Sequence, residues 1–227
     1  MDDAGQTTEA VSAPETDRVL RHAVFFKFKD GTSAEDTQKI VDAFQALPSK
    51  IDTIVDLKRG INTNISPEGA GDGLTHCFLL TFKDEAGRAV YLPHEAHKAF
   101  GEMLGPHLDK AFVVDYWGIP ETQSLAKELK HAVFIKFKDD APAEAVKAFE
   151  QACVALPSKI DTIKASEWGT NNSPEGLNDG FTHCFMITFD SEEGRAAYLP
   201  HDDHKGFVTV LEPVLDKVRV LDFHGAE

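Results

Sequence analysis

The chain consists largely of two copies of one sequence, and this duplication limits the possible folds more than any other feature. The segment RHAVFFKFKD from Arg21 returns as KHAVFIKFKD from Lys130, 109 positions later. The segments ALPSKIDTI, SPEG, THCF and YLPH also recur in the same order. A period of this length exceeds the roughly 20 to 50 residues of solenoid repeats, so the sequence predicts two similar domains.

The repeat sets the predicted domain boundaries. We predict a disordered acidic tail at 1–18, a first repeat at 19–118, a linker at 119–128 and a second repeat at 129–227. The tail has no core pattern, and the linker has Pro120 followed by polar residues. With 227 residues, the chain is long enough for each repeat to bury a core.

Each copy has the pattern of a βαββαβ unit. Residues 21–28 alternate, with His22 and Phe26 on one face, which indicates a strand. Thr32 and Glu35 have the spacing of a capping box and predict the start of a helix. Pro93 is expected to divide the second helical stretch, because proline disfavours helix at the residue before it. This order is that of a ferredoxin-like unit, whose helices cover one face of a four-stranded sheet.

The uncovered face of each predicted sheet requires a partner. A second copy follows in the same chain, so the two sheets are expected to close face to face. The predicted fold is therefore α+β: two ferredoxin-like βαββαβ repeats whose sheets pair as an intramolecular dimeric α/β barrel. We expect a monomer that contains an internal pseudo-dimer.

Composition excludes several partners and suggests a compartment. Acidic residues number 38 against 23 basic ones, a formal charge of -15, so we expect no binding to nucleic acid. No run of about 18 apolar residues occurs, and we expect no membrane partner. Three cysteines without CxxC spacing favour a reducing, cytoplasmic location. The alternative is an exported protein whose signal segment is absent from this sequence.

Histidines at corresponding positions are the candidate functional residues. Four positions recur in both copies, and a tyrosine recurs beside them: His22 and His131, His76 and His183, His94 and His201, His97 and His204, Tyr91 and Tyr198. In the first copy, His22, His76, Tyr91 and His97 are expected to converge, whereas His94 is expected to be exposed or to cap a helix. Imidazole titrates near neutrality and a phenol can hold a carbonyl oxygen, so the set suits proton abstraction beside a carbonyl. The structural alternative is that these histidines are hydrogen-bonded core residues.

A metal site is a further alternative. Three histidines can bind zinc, but the chain has no HExxH motif and no Cys/His spacing typical of zinc sites. We therefore expect no metal and no cofactor.

Four segments resemble the stress-responsive A/B barrel domain, the Dabb family. They are RHAVFFKFKD, GLTHCFLLTF, YLPHEAHKAF and VVDYWG, and the second copy carries KHAVFIKFKD, GFTHCFMITF, YLPHDDHKGF and VLDFHG. The resemblance covers nearly the whole of each copy and implies a dimeric α+β barrel. Most members are single domains that form homodimers, so this tandem chain is similar to such a dimer fused.

The resemblance also implies roles for the recurring residues. A plant polyketide cyclase of this family uses a tyrosine and a histidine of the same stretch in an aldol cyclisation, and other histidines line its pocket. By motif, the catalytic positions are Tyr91, His97, Tyr198 and His204, and the ligand-binding positions are His22, His76, His131 and His183. This chain departs from the family at His94 to His97 and His201 to His204, where members often have His-Pro-x-His.

These observations lead to one main functional hypothesis and two alternatives. The main hypothesis is a protein that binds a small apolar carbonyl-containing ligand in a His/Tyr-lined pocket, with acid-base chemistry like that of a cyclase or lyase. The first alternative is a non-catalytic, stress-related structural protein. The second is a histidine-ligated metal site or a haem-type site, since the wider barrel superfamily includes haem and quinone-type oxygenases.

Overall fold

A computed structural model describes residues 18–63, 71–120 and 128–224. The predicted disordered tail, except for Arg18, and residues 121–127 of the predicted linker lie outside the described residues. Among the helices in these ranges, none has the length and apolar character needed to cross a membrane.

Both repeats have the predicted order, with the second helical stretch divided in two. The elements of the first repeat are β1 Val19–Phe28, α1 Ala34–Gln45, β2 Ile54–Ile61, β3 His76–Phe82, α2 Glu85–Tyr91, α3 Glu95–Leu104 and β4 Leu108–Gly118. Those of the second repeat are β5 Leu129–Phe137, α4 Ala143–Ala155, β6 Ala165–Thr170, β7 His183–Phe189, α5 Glu192–Tyr198, α6 Asp202–Leu211 and β8 Leu215–His224. The strands form two antiparallel sheets in the orders β2-β3-β1-β4 and β6-β7-β5-β8.

The start of α1 differs by one residue from the prediction. Ser33 is the N-cap, and its hydroxyl accepts a hydrogen bond from the Asp36 amide at 3.0 Å. The Thr32 hydroxyl instead donates to the Lys29 carbonyl at 2.9 Å and closes the preceding turn. Gly31 in that turn has φ of 85°, a left-handed conformation that favours glycine. The predicted capping pair of Thr32 and Glu35 is therefore wrong, because the turn occupies one more residue.

The division between α2 and α3 agrees with the sequence. Tyr91 ends α2, Pro93 follows, and α3 begins at Glu95. The Nδ1 atom of His94 accepts a hydrogen bond from the Ala96 amide at 3.1 Å, which confirms His94 as a helix cap. His201 caps α6 in the same way, at 3.2 Å from the Asp203 amide.

One face of each sheet packs against its helices. In the first repeat the rings of Phe44 in α1 and Phe78 in β3 are stacked with centroids 4.1 Å apart. Phe26 of β1 and Phe100 of α3 belong to the same buried cluster. His22 lies on this face, two residues before Val24 along β1.

The opposite faces of the two sheets pack against each other, as predicted. Phe25 of β1 lies 5.3 Å from Phe134 of β5, and Phe112 of β4 lies 4.8 Å from Phe134, measured between ring centroids. Cys77 and Cys184 are buried as free thiols in this shared core. The two sheets therefore form the barrel within one chain.

The sheet edges meet where strands from different repeats approach closely. A Cβ atom added at Gly60 in β2 would lie 2.4 Å from the His224 carbonyl oxygen in β8, so this crossing requires glycine. Next to it, the Thr63 amide donates to the Asp222 carbonyl at 2.9 Å. On the other side of the barrel, the Asn172 amide donates to the Asp115 carbonyl at 2.9 Å. These contacts attach a segment from each repeat to the edge strand of the other.

Candidate functional site

A cavity of about 180 Å³ lies in the first repeat between β1, β4 and α3. We call it the first-repeat cavity. Apolar side chains form most of its wall, and the polar side chains that the described residues contribute are His22, Tyr91, His97 and Glu175. An apolar cavity of about 150 Å³ admits benzene, so the volume here suits a molecule with one ring.

Tyr91 and His97 lie side by side in the wall, with ring centroids 4.2 Å apart. The Nδ1 atom of His97 lies 2.9 Å from the Leu92 carbonyl oxygen. Because a carbonyl can only accept, Nδ1 carries the proton, and Nε2 is the basic nitrogen of the neutral ring. Burial lowers the pKa of His97, which favours this neutral form.

The Tyr91 hydroxyl is a buried donor. It has no hydrogen-bond partner among the residues that the structure describes. Burial raises the pKa of Tyr91 well above its ordinary value, and the nearby carboxylates of Glu175 and Asp115 raise it further. The phenol therefore stays protonated and can donate to an acceptor in the cavity.

His22 is held by a buried ionic network. The Asp115 carboxylate lies 2.6 Å from His22 Nδ1 and accepts a hydrogen bond from an Arg88 nitrogen at 2.7 Å. Arg88 also donates to the Asn172 side-chain oxygen at 2.8 Å. Since Nδ1 faces the Asp115 carboxylate, Nε2 is the His22 nitrogen left for the cavity, and it lies 3.8 Å from Glu175 Oε1.

The structure does not bring His76 into this group, so the expected convergence of all four residues is wrong. His76 pairs with Phe26 across the β1-β3 ladder, whereas His22 pairs with Leu80. Four residues of strand separate these positions, about 13 Å at 3.3 Å per residue. His76 instead contacts the Phe28 ring at 4.8 Å, and burial lowers its pKa. Its equivalent, His183, contacts Phe137 at 4.8 Å, and its pKa is also lowered by burial.

The second repeat repeats the arrangement. The rings of Tyr198 and His204 lie 4.2 Å apart, and His204 Nδ1 lies 2.9 Å from the Leu199 carbonyl oxygen. His131 Nδ1 lies 2.7 Å from the Asp222 carboxylate, which also accepts from Arg195 Nε at 2.8 Å. In both repeats, one strand histidine therefore lies near a Tyr-His pair. Their catalytic and ligand-binding roles stay predictions.

The residues that complete the site are not among those predicted from the sequence. Glu175 and Leu177 of the second repeat reach the wall of the first-repeat cavity. Glu175 belongs to the recurring SPEG segment, whose glutamate signalled a shared role. Asp115 and Arg88 also have counterparts in the second copy, at Asp222 and Arg195, and the same signal could have identified them.

Metal binding has no support from side-chain clustering in the described ranges. No group of three or more His, Cys, Asp or Glu side chains there is arranged so that it could hold a metal ion.

Two four-stranded sheets that pack face to face within one polypeptide define the chain as an α+β barrel of the dimeric type. Each repeat carries a Tyr-His pair. The sequence model of the stress responsive A/B barrel domain, Dabb, matches residues 20–118 and 129–224. The chain belongs to this family and carries the domain twice.

Two curated relatives and one solved structure illustrate the similarity. A stress-response A/B barrel domain-containing protein of Arabidopsis thaliana is 41% identical over 96 residues, which are 41% of this chain and 83% of that protein. Olivetolic acid cyclase of Cannabis sativa is 30% identical over 95 residues, 42% of this chain and 94% of the cyclase. The structure of an anthrone oxidase-like protein covers 94% of this chain and 93% of its own, with a TM-score of 0.66 and 11% identity. The last likeness concerns the fold alone.

Proposed function

We propose that the first-repeat cavity binds a small carbonyl compound with one ring and that Tyr91 and His97 perform acid-base chemistry on it. The Tyr91 hydroxyl donates a hydrogen bond to the carbonyl oxygen. His97 Nε2 removes a proton from the carbon next to the carbonyl, and the electron pair of the broken C–H bond moves into an enolate whose oxygen Tyr91 holds. Return of the proton completes the cycle.

The proposal rests on the buried hydroxyl of Tyr91 beside His97, which has no hydrogen-bond partner among the described residues. Leaving a buried donor without a partner costs about 1 to 3 kcal/mol. A carbonyl oxygen in the cavity would remove that cost. The proposal thus explains why a polar hydroxyl is retained at a fully buried position.

His97 has the properties that a general base requires. The Leu92 carbonyl fixes the ring and its tautomer, and the lowered pKa keeps Nε2 unprotonated near neutral pH. The relation to olivetolic acid cyclase supports cyclase-like or lyase-like chemistry. Because they occupy the corresponding positions of the duplicated sequence, we propose the same roles for Tyr198 and His204 in the second repeat, and ligand contact for His22 and His131. His76 and His183 are not assigned to the site.

Acetophenone is a suitable probe, because it combines one ring, a carbonyl and exchangeable methyl protons. The full chain is incubated with acetophenone in D2O, and exchange of the methyl protons is followed by NMR. General acid-base catalysis contributes about 100-fold to 10,000-fold, so replacing both His97 and His204 by Gln should reduce protein-dependent exchange at least about 100-fold. His107→Gln, outside the cavity wall, is the matched histidine control.

A narrower cavity tests binding without changing the acid-base residues. Gly101 and Ala111 line the cavity, and the second repeat has Val208 and Val218 at these positions. A Cβ atom added at Gly101 would meet no atom within 4 Å, so this position has space for the start of a side chain. We expect Gly101→Val combined with Ala111→Val to weaken acetophenone binding to the first repeat.

Three results would contradict the proposal. Unchanged exchange in the double histidine variant would show that His97 and His204 are not bases. Absence of both binding and exchange in the natural chain would favour the stress-related structural protein. Loss of exchange on treatment with a chelator would favour the metal site.

A further inference from the structure

Glu175 reaches the first-repeat cavity from the other repeat and is held there by backbone hydrogen bonds on both sides. Before it, the Asn172 amide donates to the Asp115 carbonyl at 2.9 Å. After it, the Val113 amide donates to the Leu177 carbonyl at 3.0 Å. Both bonds join the loop between β6 and β7 to β4. The position of Glu175 is thus fixed by the pairing of the two repeats.

The Glu175 carboxylate presents a buried acceptor to the cavity. Its side chain is 23% exposed, but Oε1 is buried and has no hydrogen-bond partner within the described part of the chain. His22 Nε2 is 3.8 Å away, beyond the length of a hydrogen bond. Because a carboxylate only accepts, an occupant that satisfies Oε1 must supply a donor.

Tyr91 requires the opposite group, a hydrogen-bond acceptor on the ligand. Its hydroxyl, in the same cavity wall, is also without a partner among the described residues, and it can donate to an acceptor. One molecule can satisfy both groups if it carries an acceptor for Tyr91 and a donor for Glu175. The apolar remainder of the wall suits the ring that joins them.

We propose that Glu175 is a specificity-determining residue that selects ring ketones carrying a hydroxyl group, so that the second repeat sets the specificity of the first. The inference rests on the proposed function, because it assumes that the carbonyl oxygen is held by Tyr91. It adds the hydroxyl donor to the definition of the ligand. It also predicts rejection of ligands that carry a carboxylate at the hydroxyl position, since like charges repel.

The experiment compares four compounds on the full chain by ligand-observed NMR titration. They are acetophenone, 3-hydroxyacetophenone, 4-hydroxyacetophenone and 3-acetylbenzoate, which is the anionic probe. A hydrogen bond to a charged acceptor should make the better hydroxy compound bind about ten-fold or more tightly than acetophenone. In Glu175→Ala this ratio should fall to about one.

Glu175→Gln provides a second variant of nearly the same shape, in case the alanine variant folds poorly. Its amide oxygen still accepts but has no charge, so the ratio should fall to an intermediate value and 3-acetylbenzoate should bind better. Glu193→Gln, on the exposed side of α5, is the matched control and should leave every ratio unchanged. Far-ultraviolet circular dichroism checks the fold of each variant.

The outcomes separate this inference from the proposed function. If acetophenone binds but a hydroxyl group adds no affinity, or if the gain persists in both Glu175 variants, the role of Glu175 is wrong and the carbonyl site stands. If none of the probes binds to the natural chain, both proposals fail.

Discussion

Removing the Asp115 carboxylate should destabilise the protein strongly, because this fully buried group contacts the side chains of both Arg88 and His22. Asp115 accepts from Arg88 at 2.7 Å and contacts His22 Nδ1 at 2.6 Å. Removing one partner from a buried ion pair costs about 3 to 5 kcal/mol. Arg88 keeps the Asn172 side-chain oxygen at 2.8 Å, so we expect the lower limit, about 3 kcal/mol, for Asp115→Ala.

The free energy of unfolding is measured by urea titration followed by circular dichroism, with linear extrapolation to water. Asp115→Asn should cost less, about 2 kcal/mol, because one amide oxygen still accepts from Arg88. Asp139→Ala changes an exposed aspartate and should stay within about 0.5 kcal/mol of the natural chain. A value for Asp115→Ala within about 1 kcal/mol of the natural chain would refute the assigned role of the network.

Three further predictions concern pH, packing and assembly. The pKa of His97 is lower in the folded chain than in the unfolded chain, so the unfolded chain binds the proton first as pH falls. The free energy of unfolding should therefore decline below about pH 6.5. Urea unfolding from about pH 7 to 5 should show a shallower decline in His97→Gln. Gly60→Ala should cost about 1 to 3 kcal/mol because the added Cβ atom would lie close to the His224 carbonyl oxygen. Gly206→Ala should stabilise the protein by about 0.5 to 1 kcal/mol, because Gly206 lies in a helix and its added Cβ atom would have no neighbour within 4 Å. Equal effects of the two variants on urea unfolding would contradict the packing argument. Light scattering should give the mass of one chain, and a stable dimer would contradict a self-contained barrel.

Much of the fold could be predicted from local patterns and from the duplication. Alternation in β1 placed His22 and Phe26 on one face and Phe25 on the other, and the structure has the first two against helices and Phe25 against the second sheet. The alternation carries this information because successive side chains of a strand point to opposite faces. Pro93 likewise gave the break between α2 and α3.

The candidate site could be predicted only where its residues are close along the chain. Tyr91 and His97 belong to one short stretch, and the structure holds their rings together. His76 shares a face with His22, but a face does not specify the distance along the strands. Glu175 reaches the cavity only through the pairing of the two repeats, which no local pattern describes. Its recurrence in SPEG indicated a shared role without indicating where the side chain lies.

The proposed ligand is a hydroxylated ring ketone that lies in the first-repeat cavity between Tyr91 and Glu175. A crystal structure of the full chain soaked with 3-hydroxyacetophenone tests it most directly. We expect the ligand in this cavity, with its carbonyl oxygen about 2.7 to 3.0 Å from the Tyr91 hydroxyl and its own hydroxyl at a similar distance from Glu175. A cavity that contains only water under saturating ligand, or a ligand bound elsewhere, would contradict the claim.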